Sequence, residues 1–140
     1  MNLSVRPYEQ AHDILRDAGL RPTRQRLGLA RLLFDADDRH VTAEQLHAEA
    51  GNANLRVSLA TIYNTLHQFT EAGLLREVVV EPGRSYSDTN TTDHHHFFHE
   101  GTGELRDIAG TAITVGQVPS PPVGTEVQRV DIIVRVRDSD

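Results

Sequence analysis

Apolar residues recur at helical spacing through the first half of the chain. Ala11, Ile14, Leu15 and Ala18 follow the i, i+3, i+4, i+7 rule, and Gly19 supplies a left-handed stop. Pro22-Thr23 opens a second helix with Thr23 as candidate N-cap. Leu27, Ala30, Leu33 and Phe34 share one of its faces, and the polar turn Asp35-Ala-Asp-Asp38 ends it. Thr42-x-x-Gln45 reads as a capping box for a third helix that carries Leu46 and Ala50. A fourth begins at the N-cap Ser58, aligns Leu59, Ile62, Leu66 and Phe69, and stops at Gly73, leaving Thr61, Asn64, Thr65 and Gln68 on its other faces. The period then changes. Leu75 to Glu81, the turn Pro82-Gly83, and Arg84 to Asp88 predict two strands of a hairpin.

Helices followed by a hairpin describe a winged helix-turn-helix, although the same order also occurs in protein-interaction modules. In the DNA-binding version the helix after the turn enters the major groove while the hairpin and first helices meet the backbone. Past Asp88 the pattern is mostly β. His94 to His99 and Glu104 to Ile108 flank a Glu100-Gly-Thr-Gly103 turn, and Val127 to Val136 alternates apolar residues with charged ones. The prolines of Val118-Pro-Ser-Pro-Pro-Val-Gly124 exclude a helix or a central strand. The expected class is α+β, with a winged helix over residues 1–83 and a small, mostly β, α/β dimerisation domain over 84–140. The second half is too small to bury much core alone, so the strand Val127 to Val136 is assigned to a homodimer interface.

Composition narrows the chemistry. With 140 residues, 38% of them apolar, the chain supports one ordinary domain or two small ones. No apolar run approaches the roughly 20 residues that span a membrane, and Met1-Asn-Leu-Ser-Val-Arg6 lacks the apolar core of a signal peptide. A cytoplasmic protein without a membrane partner is expected. There is no cysteine, so disulfides and thiolate zinc sites are excluded. A net charge of −6 argues against a generic nucleic-acid coat, but Arg21, Arg24, Arg26 and Arg31 form an acid-free basic cluster. On the winged-helix reading Arg21, Arg24 and Arg26 contact phosphates or the minor groove.

The densest chemistry is Asp88-Thr-Asn-Thr-Thr-Asp93-His94-His95-His96, followed by Asp107 and preceded far upstream by His40. Strand alternation puts His94 and His96 on one face and His95 on the other. Asp107 falls on the partner strand, Asp88 ends the preceding hairpin, and His40 sits in the loop before the third helix. Imidazole and carboxylate suit divalent Fe, Mn or Zn. A site of these five residues would join the two halves and act as a switch. Single residues of the region have other readings: His40 as a solvated side chain, Asp88 as a turn residue, His95 and His99 as supporting, haem-related or merely exposed groups.

Four motifs in order carry a resemblance. Leu20-Arg-Pro-Thr-Arg-Gln-Arg26, His40-Val-Thr-Ala-Glu-Gln-Leu46, Val57-Ser-Leu-Ala-Thr-Ile-Tyr-Asn-Thr-Leu66 through Glu71-Ala-Gly-Leu74, and Asp93-His-His-His96 closely resemble the ferric uptake regulator family of metal-responsive transcription factors. The resemblance implies a dimeric regulator, not an enzyme, that binds palindromic double-stranded promoter DNA, with His40, Asp88, His94, His96 and Asp107 as its regulatory metal site. It also implies Arg21 at the minor groove and Tyr63 at the bases, so the candidate DNA-contacting set is Arg21, Thr23, Arg24, Arg26, Ser58, Thr61, Tyr63 and Asn64. The cysteine pairs that hold a structural zinc in the family are absent, with His99 and Thr102 where the first would fall. That departure and the triple histidine before Phe97-Phe98 are most similar to the iron response regulator branch, which implies iron-responsive control and haem as a further ligand at His94, His95 and His96. A peroxide-sensing repressor of the same family is the alternative, and a metallohydrolase the alternative from another class.

Overall fold

The computed structural model describes residues 9–140, so the amino-terminal stretch judged to lack a signal-peptide core lies outside the described residues. Among the described residues no helix is long and apolar enough to cross a membrane. The chain divides into two compact units, one running to Thr91 and one spanning Thr92–Asp140.

The first unit contains α1 (Glu9–Asp17), α2 (Arg24–Phe34), β1 (His40–Val41), α3 (Ala43–Asn52), α4 (Leu59–Glu71), β2 (Arg76–Glu81) and β3 (Arg84–Asp88). Three helix starts are fixed by side chains that accept otherwise orphaned amide protons. Thr23 Oγ1 accepts from Arg26 N, Ser58 Oγ from Thr61 N, and Thr42 and Gln45 form a reciprocal capping box. Ala11, Leu15, Leu29, Ala30, Leu33, Leu46, Ile62 and Phe69 are buried together at the centre. Two residues of α4 depart from the predicted stripe: Leu59 is exposed and Thr65 is buried. The stripe is displaced toward Thr65 because the helix packs on α3, whose buried residues Leu46 and Ala50 fix the facing side.

β3 is the centre of a three-stranded antiparallel sheet, with β2 on one side and β1 on the other. The β2–β3 hairpin turns at Pro82-Gly83, where Gly83 has φ +76, a value that only glycine adopts freely. His40 therefore lies on a strand rather than in a loop, and the first unit extends past Gly83 to Thr91 because β3 is hydrogen-bonded on both edges. A two-residue strand carries too little periodicity to be seen in sequence.

The second unit is a three-stranded sheet with β4 (His94–His99) between antiparallel β5 (Leu105–Ala109) and parallel β6 (Ile133–Val136). Only the last four residues of the strand expected over Val127 to Val136 form it, while Val127 and Val130 are exposed. A single 3₁₀ turn (Gly110–Ala112) and an irregular Pro-rich connection take the place of any α-helix. The buried apolar residues of this unit are Phe98, Leu105 and Ile108, accompanied by His94, His95 and His96.

One ion pair ties the first unit's sheet to its helices. Arg39, beside His40, donates to both carboxylate oxygens of Glu49 on α3, at 2.8 and 2.6 Å, and to the Leu32 carbonyl at 3.2 Å. The hydrogen bond from Arg39 holds the Glu49 carboxyl below its ordinary range. A depressed carboxylate stabilises the fold fully above its unfolded-state value, and that stability is lost as pH falls through the lower folded-state value. Glu49→Gln should therefore flatten the acid limb of stability against pH and cost on the order of 1 kcal/mol at neutral pH, allowing for screening of this half-exposed pair. Urea unfolding of both proteins across the acidic range checks this; parallel curves would show that the pair adds nothing.

Candidate metal centre and nucleic-acid interface

In the second unit, register places His96 directly opposite Asp107, and His94 two residues away on the same face of β4. The two imidazole rings lie 4.6 Å apart between centroids. Asp107 Oδ1 is 3.5 Å from His94 Nε2 and 3.3 Å from His96 Nε2, beyond the roughly 2.7–2.9 Å of a charge-assisted hydrogen bond. His94 Nδ1 is 2.7 Å from the Thr92 carbonyl oxygen. A carbonyl only accepts, so the neutral ring carries its proton on Nδ1 and aims the Nε2 lone pair toward a carboxylate. Two buried imidazoles thus converge on one carboxylate oxygen, and ligand atoms bound at about 2.1 Å to one first-row metal stand roughly 3.0–3.4 Å apart. The residues fit such an ion. The hydrogen bond from Nδ1 supplies the orienting support that metal-ligating histidines ordinarily have.

In the first unit the register of β1 and β3 sets His40 opposite Asp88. Asp88 is buried, and one of its oxygens accepts from Asn90 N at 2.9 Å. His40 is held by its neighbours: Arg39 N donates to Thr89 Oγ1 at 2.8 Å, and Thr89 N to the Arg39 carbonyl at 2.9 Å. The buried Asp88 carboxylate and the His40 imidazole opposite it are two further side chains with metal-binding chemistry, and Asp88 also keeps the turn role open in its sequence.

Of the three histidines expected at a haem, His94 and His96 lie side by side. His95 lies on the other face of β4, where its Nδ1 accepts from Ile132 N at 3.2 Å. His99 is occupied locally as well. Its Nδ1 accepts from Gly101 N and Thr102 N at 3.1 and 3.0 Å, so its proton sits on Nε2 and is donated to Asp138 at 2.8 Å. One imidazole thereby ties a turn to the carboxyl-terminal segment without metal.

The predicted DNA-contacting residues divide into two groups. Arg21, Arg24, Tyr63 and Asn64 are exposed. Thr23, Ser58 and Arg26 have structural duties: the two hydroxyls cap α2 and α4, and Arg26 donates to the Arg21 carbonyl at 2.9 Å and to Gln68 Oε1 at 3.0 Å, fastening the turn before α2 to α4. Thr61 is half-buried, its hydroxyl accepting from Ser58 at 3.0 Å. Sequence reasoning passed over Arg56. It is exposed immediately before α4 in a turn where Asn54 takes φ +60, and Gln25 Nε2 reaches its carbonyl at 3.5 Å. An arginine two residues before the N-cap of the helix after the turn was the available signal.

The family model for the ferric uptake regulator family matches residues 17–133. The ferric uptake regulation protein of Vibrio parahaemolyticus is 36% identical over 100 residues, covering 71% of this chain and 67% of that protein. The peroxide-responsive repressor PerR of Staphylococcus aureus is 33% identical over 100 residues, with the same two coverages. The structure of the ferric uptake regulator from Pseudomonas aeruginosa with manganese superposes with a TM-score of 0.70 at 26% identity, covering 93% of this chain and 98% of that one.

The opposite faces of β4 generate a direct test. His96→Ala should weaken Mn binding at least roughly tenfold, the low end of what losing a supporting residue at a metal site costs. His95→Ala should leave Mn affinity within about twofold of wild type, because it removes no donor from the cluster. Calorimetric titration of both variants decides; equal losses would remove the alternation argument.

Proposed function

The chain belongs to the ferric uptake regulator family, and from that premise we propose that it is a dimeric, metal-responsive repressor of promoters for iron and haem homeostasis genes. His40, Asp88, His94, His96 and Asp107 are its regulatory ligands for Fe, Mn or Zn. The observation that carries this reading is the convergence of the buried His94 and His96 imidazoles on the Asp107 carboxylate, a ligand set that suits a divalent cation. A metal there supplies positive charge that offsets the carboxylates and holds the imidazoles in one arrangement. Manganese in the Pseudomonas aeruginosa relative supports the same class of ion. Arg21, Arg24 and Arg56 supply phosphate contacts, while Tyr63 and Asn64 on α4 meet base edges.

Dimerisation follows from the poor core of the second unit. Phe97, Val115, Val118, Val127 and Val130 are exposed there, more apolar surface than such a small unit ordinarily leaves in water. β6 pairs directly with β4, so a chain ending at Pro119 loses an edge strand of that sheet. Sedimentation analysis should find that truncated chain monomeric or unfolded, and a stable truncated dimer would contradict the assignment.

A second reading has its own support. The Staphylococcus aureus relative is a peroxide-responsive repressor, and a ferrous ion held by imidazoles and carboxylates is a site where peroxide oxidises a ligand histidine. Mass spectrometry after peroxide treatment of the Fe-loaded protein separates the two: a gain of one oxygen on His40 or His94 favours the peroxide sensor. Haem binding at His94, His95 and His96 is read from the absorption spectrum of the same preparation.

The regulatory claim stands on His40. His40→Ala should retain Mn binding through His94, His96 and Asp107 with weaker affinity, yet lose most of the influence of Mn on promoter affinity. Coupling requires that the metal distinguish conformations of the unit that holds DNA. Mn titrations with and without promoter duplex measure this, and undiminished coupling in the variant would end the proposal.

A further inference from the structure

Tyr63 is the more exposed of the two large apolar side chains that α4 leaves in solvent, with 51% of its surface accessible against 36% for Leu59. Its hydroxyl is not free. It donates to Glu44 Oε1, in the first turn of α3, at 2.5 Å, the short end of the range for a phenol on a carboxylate. The contact raises the affinity of the phenol for its proton and lowers that of the carboxyl. The donor that tyrosine would otherwise offer to a base or phosphate is therefore consumed inside the protein. What faces outward is the ring and a carboxylate with lone pairs to spare. His67, Glu77 and Arg84 line the same groove between α3, α4 and the β2–β3 hairpin, and the Arg84 guanidinium there is paired with Glu81 at 3.4 Å.

We propose that Glu44 is a specificity-determining residue of the DNA-binding face, reading an exocyclic amino group of cytosine or adenine in the major groove and rejecting phosphates and acceptor edges. The inference rests on the DNA-binding reading above. The physical basis is the groove's donor and acceptor code. Cytosine N4 and adenine N6 present donors that a carboxylate accepts, whereas guanine N7 and O6 and thymine O4 present acceptors that it repels. The tethered Tyr63 ring suits an apolar neighbour such as a thymine methyl. A carboxylate so near the backbone also weakens binding to arbitrary sequence, which widens the gap between operator and competing DNA. The competing account is that Glu44 merely complements the dipole of α3, a role that changes stability and leaves base preference alone.

The test passes Mn-loaded wild type, Glu44→Ala, Glu44→Gln and Tyr63→Phe through selection from a random duplex pool. Each protein's affinity is then measured for the wild-type winner and for a shuffled duplex, with thermal unfolding run alongside. Glu44→Ala should lower the ratio of selected to shuffled affinity by roughly tenfold, chiefly through tighter binding of the shuffled duplex, and relax the preference at one position per half-site. Glu44→Gln, which gains donors, should shift that position toward an acceptor-bearing base, and Tyr63→Phe should loosen the adjacent position. Unchanged winners and ratios in folded variants, or an equal loss on both duplexes with a lowered melting temperature, would overturn the proposal and leave DNA binding intact. Wild type that enriches no sequence would overturn the DNA-binding reading and this inference with it.

Discussion

The second unit gives two of the three inward positions on its central strand to imidazoles. His94, His96 and Phe98 share that face, and only Phe98 is apolar. A three-stranded sheet with so few buried hydrocarbons cannot hold itself together by burial alone, since each missing side chain forgoes roughly 1.5–3 kcal/mol. The structure meets this in part with polar devices. Arg135 lies 5.7 Å over the Phe98 ring, and His99 bonds a turn on one side and Asp138 on the other. A cation among His94, His96 and Asp107, and a second subunit over the exposed valines, would supply the remainder. The imidazoles that give the sheet its ligand chemistry stand where buried hydrocarbon would otherwise be.

The first unit shows the opposite economy. Its centre is apolar, its helices begin at satisfied caps, and its polar side chains are spent on geometry. Arg26 fastens the turn before α2 to α4, and Gly28 leaves space for Leu55 to pack across α2, where an added Cβ would come within 2.6 Å of it. Those two contacts fix the segments that bear Arg21, Arg24 and Arg56. Basic residues there divide the work, since the half-buried Arg26 holds in place the segments that carry the exposed Arg21 and Arg24.

Much of this was legible in the sequence. Thr23, Thr42, Ser58 and Gly19 announced helix ends because capping is a local interaction between residues three apart. His94, His96 and Asp107 could be placed on one face because strand alternation is also local and the intervening turn is short. What escaped were pairings across distance. The strand His40–Val41 exists only because Asp88 and Ser87 are there to receive it, and the burial of Thr65 depends on α3. The strand over Val127 to Val136 shortened for a related reason: alternation states which residues could face a sheet, while β4 offers partners only from Ile133 onward. Tyr63 was named from resemblance, but its bond to Glu44 spans nineteen residues and leaves no sequence pattern.

These distant pairings give the candidate regulatory histidine a defined mechanical setting. His40 is bracketed by Arg39, which is bonded to Thr89, Leu32 and Glu49, and by Val41, after which Thr42 caps α3. A ligand in a flexible loop could be drawn to a metal without moving anything else. Here any displacement of His40 is imposed on a strand whose preceding residue grips the far end of α3 and whose continuation forms that helix's first turn, where Glu44 holds Tyr63. Rigid attachment does not set the sign of regulation, which depends on the conformation that the metal favours. The contacts themselves run from the two neighbours of His40 to both ends of α3 and, through the Glu44 carboxylate, to Tyr63 on the exposed face of α4.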